Sequence, residues 1–250
     1  MNAIILAAGK GNRLHQLTKD IPKPLISING TPIIEQQISF LKEKGISEIF
    51  VVVGYKSEYF EYLTRKHDVQ LIHNPYYEKY NNIFSLFLCK EILNDSYIIE
   101  GDSFPTRNFF LESPTESTYF TGKKHGILNE WILEFENKIL QKIIICDNRN
   151  FSSNDSLDGF IMSGFSFWNK SDSAIIKKLL EKVIRQNSTF VIQQYECQYW
   201  DYLIYENMES FFIKIHEVCS EDWYEIDTLL DLNKAIQSYV NYNLTPKGCF

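Results

Sequence analysis

Glycines and basic residues crowd together just after the first apolar stretch: Leu6-Ala7-Ala8-Gly9-Lys10-Gly11-Asn12-Arg13-Leu14, then Lys19, Asp20 and Pro22-Lys23-Pro24. Glycines placed directly after a buried strand let backbone N–H groups turn inward around phosphate oxygens, because no Cβ obstructs the turn or the approach. Between positions 10 and 23 the cations Lys10, Arg13, Lys19 and Lys23 face only Asp20. Such a positive island suits a nucleoside triphosphate, whose phosphates carry about four negative charges and draw several cations at once. Arg13 offers a planar fork for terminal phosphate oxygens. The prolines flanking Lys23 restrict its backbone, so its ammonium can be held against one phosphorus. Two common phosphate sites are weakened as alternatives: Leu14 stands where the dinucleotide fingerprint needs its third glycine, and no P-loop Gly-Lys-Ser/Thr follows. The plain alternative is a solvated charged loop.

The elements that must hold this loop alternate. Ala3 to Leu6 reads as a strand buried on both faces. Thr31-Pro32 reads as an N-cap and first turn, opening a helix whose Ile34, Ile38 and Leu41 share one face before Gly45 ends it. Strands follow at 48–54, 69–73 and 96–99, with helices at 57–66 and 82–92 between them. This β-α-β rhythm predicts an α/β fold: a Rossmann-like, mixed, mainly parallel sheet flanked by helices, with ligands beyond the carboxyl ends of its strands. Gly9 and the Glu100-Gly101-Asp102 turn lie at such ends. The second half is richer in strands (118–121, 131–136, 138–146, 160–168 and 212–216), with helices at 171–186, 196–208 and 228–239. An exposed loop is expected over 148–159 and a trailing tail over 243–250, the whole forming a single domain.

Composition bounds the partners. A chain of 250 residues with 44% hydrophobic and 23% charged residues can bury a core and a deep cleft. The net charge of −7, without a basic stripe, argues against nucleic acid as a partner. No run approaches the roughly 20 apolar residues of a membrane span, and the opening lacks the features of a signal peptide, so a cytoplasmic protein is expected. Cys89, Cys146, Cys197, Cys219 and Cys249 are scattered singly, which reads as small buried hydrophobes in a reducing compartment. The five histidines show no metal-ligand spacing and support no Ser-His-Asp triad. A homodimer is compatible with the sequence.

LAAGKGNRLHQLTKDIPKPL, twenty contiguous positions, resembles the signature L-A-A-G-x-G-x-R-L-x-P-L-T-x-x-x-P-K-x-L of nucleotidyltransferases that join a nucleoside triphosphate to a phosphorylated small molecule. It departs at Gln16, where proline is usual. The later blocks NNIFSLFLCKE, STYF, NEW, SGFSFW and WYEID look most like bacterial CTP:phosphocholine cytidylyltransferases, which prepare choline for attachment to surface glycans. The resemblance implies that residues 1–110 mainly bind nucleotide and residues 111–242 mainly bind the acceptor. It places Leu6, Ala7, Ala8, Gly9, Lys10 and Gly11 around CTP, Arg13 at the departing β and γ phosphates, Lys23 at the α-phosphate, and Asp102 and Asp227 on Mg²⁺. Mg²⁺ takes one or two carboxylates together with phosphate oxygens, which agrees with that pair. Where the family often has an aspartate two positions before the metal ligand, this chain has Glu100.

Asn81, Asn82 and Ser85 could read a pyrimidine edge, and the two asparagines fit a helix cap equally well. A trimethylammonium group donates no hydrogen bond, so phosphocholine calls for ring faces and nearby acids; Trp131, Tyr199, Trp200, Asp201, Tyr224 and Glu225 are the candidates. Trp168, ending an apolar strand, is assigned to the core. The chemistry needs no protein nucleophile: the acceptor's phosphate oxygen attacks the α-phosphorus and pyrophosphate leaves. A sugar 1-phosphate, phosphoethanolamine or another phosphorylated amine or amino acid is the rival acceptor, and a nucleotide-binding regulatory subunit without turnover is the rival class.

Overall fold

The computed structural model describes residues 1–127, 130–146, 157–185 and 198–244. In chain order the strands are β1 (Asn2–Ala7), β2 (Ser27–Ile28), β3 (Thr31–Pro32), β4 (Ile49–Val53), β5 (Gln70–His73), β6 (Ser96–Glu100), β7 (Ser103–Pro105), β8 (Thr118–Ile127), β9 (Trp131–Glu136), β10 (Ile139–Ile145), β11 (Leu157–Trp168), β12 (Lys214–Val218) and β13 (Trp223–Glu225). The helices are α1 (His15–Thr18), α2 (Ile33–Glu43), α3 (Glu61–His67), α4 (Asn82–Leu88), α5 (Lys170–Arg185), α6 (Asp201–Glu206) and α7 (Leu229–Leu244).

Every residue of β1 and β4 is buried, as their unbroken apolar runs require of strands covered on both faces. They form the parallel half of a nine-stranded sheet ordered β5-β4-β1-β6-β11-β8-β12-β10-β9. β5, β4, β1 and β6 run parallel, and β11 joins β6 antiparallel. Beyond it the ladders are antiparallel except for the β8–β12 pair. Side-chain alternation splits the core between the two faces. Ala3, Ile5 and Ala7 pack with Ile34, Ile38 and Leu41 of α2, whereas Ile4 and Leu6 pack with Ile83 and Leu86 of α4 and with Trp168. A third cluster, including Leu14, Ile26, Phe104 and Ile226, lies under the glycine-rich loop and joins it to the end of β13.

Several expectations shift. Thr31-Pro32 does not open the helix: it pairs with Ser27-Ile28 around Asn29-Gly30, whose φ values of +50° and +85° make a tight hairpin turn, and α2 begins at Ile33. Strand β8 is ten residues long, β11 begins at Leu157 inside the expected loop, α4 stops at Leu88, and α7 runs on to Leu244. The helix expected over 196–208 is observed as Asp201–Glu206; residues 147–156, 186–197 and 245–250 lie outside the described residues. The strands β7 and β13 pair as a separate ribbon that the sequence reading did not anticipate. Cys89 and Cys146 are buried thiols, as expected.

Gly164 shows how tightly β11 passes the turn after β6. It has φ +81°, and an added Cβ would meet the Ser103 hydroxyl and lie 3.2 Å from the Glu100 Cβ. Gly164→Ala is therefore expected to cost about 2 kcal/mol through backbone strain and crowding. In a chain of this size that lowers the thermal midpoint by roughly 4–8 °C. A melting curve that overlays the parent's would show that this close approach is not required.

Candidate active site

A cavity of about 470 Å³ opens where β1 and β6 end, lined by Leu6 to Gly9, Gly11, Arg13 and Lys23 together with Glu130, Trp131, Tyr199 and Asp201. Lys23 starts a short 3-10 helix and is almost fully buried. Its ammonium donates to Asp102 Oδ2 at 2.7 Å and to Asp227 Oδ1 at 2.6 Å. The Arg13 guanidinium also pairs with Asp227 and reaches Glu225 at 4.0 Å. The early basic loop thus meets both distant acids: Asp102 lines the cavity with it, and Asp227 joins through its pairs with Lys23 and Arg13.

Local structure explains the convergence. Asp102 sits in the turn between β6 and β7, and Asp227 lies just beyond β13. Antiparallel pairing sets Ser103 opposite Glu225, and the Ile226 N–H donates to the Asp102 carbonyl at 3.1 Å. The Gly101 N–H donates to Leu6 O at 2.9 Å, and a Cβ at Gly101 would stand 2.9 Å from that same oxygen, so only glycine brings Asp102 this close to the phosphate loop. At Gly11, φ is +63°, and its carbonyl accepts from the Thr18 hydroxyl at 3.0 Å, which fixes the loop's return.

The electrostatics favour added cations. Burial opposes the charge on Lys23, yet Asp102 and Asp227 outweigh it and raise its pKa. Burial, then Asp102, Asp227 and Glu130, push Glu225 well above the usual carboxylate range. Burial lifts Glu130 to about 7, with Asp227 adding to the effect. Burial likewise lifts Asp201 to about 7, against a hydrogen bond from the Tyr119 hydroxyl at 2.9 Å. Asp102, Glu225 and Asp227 each offer an oxygen within 4.8 Å of the others. These are hard donors with an ammonium already lodged against two of them, and they could hold Mg²⁺.

Of the residues proposed to read the base, all three line the cavity. Asn81 caps α4. Asn82 is a clasp: its Nδ2 donates to the Glu100 carboxylate at 2.7 Å and its Oδ1 accepts from the Trp200 N–H at 2.8 Å. The Ser85 hydroxyl accepts from the Asn74 amide at 3.0 Å, and both residues are buried.

The acceptor candidates divide. Trp131, Tyr199, Asp201 and Glu225 line the cavity, and Trp131 meets Tyr202 edge-on at 5.6 Å. Trp200 does not belong with them, because its ring is 2% exposed and packs edge-on against Trp168 at 5.6 Å. Tyr224 is also corrected: strand alternation sends it to the opposite face from Glu225, against the third cluster and under Lys124, whose Nζ is 5.4 Å from its ring. The Lys10 side chain is exposed and paired with Glu78 outside the cavity. Trp168 is fully buried, as assigned. Sequence reading missed Asn74 and Tyr77, which line the cavity just beyond β5, the position that the rule of ligands at strand ends would have flagged.

The chain belongs to the nucleotidyl transferase family: a model of that family matches residues 2–103, and the likeness to individual members runs the full length. It is 38% identical over 244 residues to a choline-phosphate cytidylyltransferase of Streptococcus pneumoniae, covering 97% of this chain and all of that one. It is 37% identical over 239 residues to one of Haemophilus influenzae, covering 95% and 97%. The solved structure of CTP:phosphocholine cytidylyltransferase from Streptococcus pneumoniae (LicC) superposes with a TM-score of 0.85 at 38% identity, over 94% of this chain and 97% of that chain.

The Asp201 carboxyl carries a pH signature. Its pKa is raised from 3.8 to about 7, so the folded chain holds a proton that the unfolded chain has lost, and stability falls as pH rises between those values. Asp201→Asn keeps an acceptor for Tyr119 and removes the titration. Its lead in thermal midpoint over the parent should widen from about pH 4 to about pH 7 and then level off. A lead that does not change with pH would contradict this assignment.

Proposed function

We propose that this nucleotidyltransferase transfers CMP from CTP to phosphocholine, giving CDP-choline and pyrophosphate. The reading rests on the buried Lys23 ammonium bridging Asp102 and Asp227 beside a cavity that Trp131, Tyr199, Asp201 and Glu130 also line. The backbone from Leu6 to Gly11 receives the nucleotide, with Asn81, Asn82 and Ser85 toward its base. Arg13 exchanges Asp227 and Glu225 for the β and γ phosphates. Lys23 turns its ammonium to the α-phosphate, where charge is spread as the phosphocholine oxygen forms its bond to phosphorus and the bond to the pyrophosphate oxygen breaks. Bound to Asp102 and Asp227, with Glu225 beside them, Mg²⁺ would neutralise charge on the phosphate oxygens. No side chain needs to take a proton from the acceptor, because a phosphate monoester dianion is already a nucleophile.

The trimethylammonium group lies against the faces of Trp131 and Tyr199, each worth roughly 0.5–2 kcal/mol, with the carboxyls of Asp201, Glu130 and Glu225 supplying counter-charge. In this reading residues 1–110 handle CTP and residues 111–242 handle the acceptor. The product serves as an activated choline donor for surface glycans, made in the cytoplasm where CTP is available.

Pyrophosphate release measured with CTP and UTP against phosphocholine, phosphoethanolamine and a sugar 1-phosphate tests this directly. CTP with phosphocholine should be the fastest pair; a faster sugar 1-phosphate would overturn the acceptor assignment. Lys23→Ala should lower kcat at least about a hundredfold while the KM for CTP moves only a few-fold, since its contact is made chiefly in the transition state. An unchanged kcat would leave a nucleotide-binding role without turnover.

A further inference from the structure

Asp102 must be held still from behind as well as from in front. Its turn, Glu100 to Ser103, has its backbone fixed from β1 by the Gly101 N–H to Leu6 O bond at 2.9 Å, and from the β13 side by the Ile226 N–H to Asp102 O bond at 3.1 Å. A third tie comes from α2. Gln37 is fully buried, and its Nε2 donates to Glu100 O at 2.9 Å and to Ser103 O at 2.6 Å, the carbonyls on either side of Gly101-Asp102. Both hydrogens of one amide are spent on one turn. The amide orientation is not arbitrary, because two carbonyl oxygens can be met only by donors. Gln37 Oε1 has no partner among the described residues, so the site accepts a desolvated oxygen to keep the two donors in place.

We propose that Gln37 is a positioning residue for the reaction: it sets the Asp102 carboxylate where Lys23 and the metal require it, without itself touching substrate. The inference rests on the metal-binding role given to Asp102 above. A side chain one turn away serves only packing: Ile34 is on the same helix, fully buried, and among the apolar core. An uncharged amide suits the position of Gln37, because a charged donor reaching the same carbonyls would add a second buried cation near Lys23 and weaken its hold on the two aspartates. Methionine matches the length and fills the space but gives up both donors.

The test is Mn²⁺ binding to the protein with CTP and no acceptor, read from the free-ion EPR signal, beside the Mg²⁺ dependence of turnover. Gln37→Met should bind Mn²⁺ about 10-fold more weakly and need about 10-fold more Mg²⁺ for half-maximal rate, the usual size of an outer-shell loss at a metal site. Saturating Mg²⁺ should restore most of kcat. Ile34→Val should lower the thermal midpoint yet leave both metal constants at the parent's values. Should the Met variant fail to fold, Gln37→Asn, which keeps an amide but shortens its reach, is expected to shift the metal constants in the same direction. Parental Mn²⁺ affinity in the Gln37 variants, or an equal shift in Ile34→Val, would reduce Gln37 to a packing residue. Asp102→Asn separates the two levels. If it weakens Mn²⁺ binding while the Gln37 variants do not, only the positioning role falls; if it leaves Mn²⁺ binding intact, the metal role of Asp102 falls with it.

Discussion

A buried ammonium between two carboxylates governs how this site can be built. Lys23 is 5% exposed, and an unpaired charge in that position would be driven to neutrality. Asp102 and Asp227 hold it charged. The need is mutual: without Lys23 those two acids and Glu225 would converge within 4.8 Å of one another with only the more exposed Arg13 guanidinium beside them. Removing one member of such a buried pair typically costs about 3–5 kcal/mol. The site is therefore neutralised by its own side chains. In the proposed reaction the substrate would enter by exchange: phosphate oxygens would draw away Arg13 and then, as charge develops, Lys23, and the acids so released would be free to hold the cation.

The fold makes the exchange local. β1 delivers the phosphate loop from its carboxyl end, and β6, its neighbour in register, delivers Asp102 one turn later. The β7–β13 ribbon then folds the end of the chain back so that Asp227 arrives from the opposite direction. Gly101 and Gly164 lie on either side of this junction, and both permit approaches that a side chain would block. The parallel half of the sheet thereby carries the charged chemistry. The strands beyond β6 carry the other wall of the cavity, where Glu130 and Trp131 open β9 and Gly164 bends β11.

The basic loop was legible because its information is local: glycine spacing, cations and flanking prolines all lie within residues 6–25. The parallel strands were legible for a similar reason, since unbroken apolar runs such as Ile49 to Val53 mark strands covered on both faces. What was not legible depends on which way a side chain faces. Trp200 and Tyr224 each sit beside an acid that lines the cavity, Asp201 and Glu225, and adjacency in sequence does not distinguish the two sides of a strand or of a helical turn. The Trp200 ring is turned into packed interior, and the half-buried Tyr224 ring lies against the third cluster. The ribbon strands β7 and β13 are three residues each, too short for an alternating pattern to emerge, although they are what unites the acids. Gln37 looked like one polar residue among several on α2, and only the distant carbonyls of Glu100 and Ser103 give it meaning.

Around the residues proposed for the acceptor, burial again sets the charge of the acids. Glu130 and Asp201 are both lifted to about 7 by burial, so near neutral pH neither is fully charged while the cavity is without a cationic guest. A cationic ligand near either one favours its ionised form and draws off its proton. A primary ammonium could satisfy those acids by hydrogen bonding, whereas a quaternary one cannot donate and must be held by ring faces and by charge at a distance. Trp131 is braced edge-on by Tyr202 and by Tyr205 at 6.1 Å, which fixes the plane it presents. A braced ring beside acids that become charged around a cationic guest is what the proposed phosphocholine pocket needs, since a quaternary cation is held by ring faces and by charge and not by hydrogen bonds.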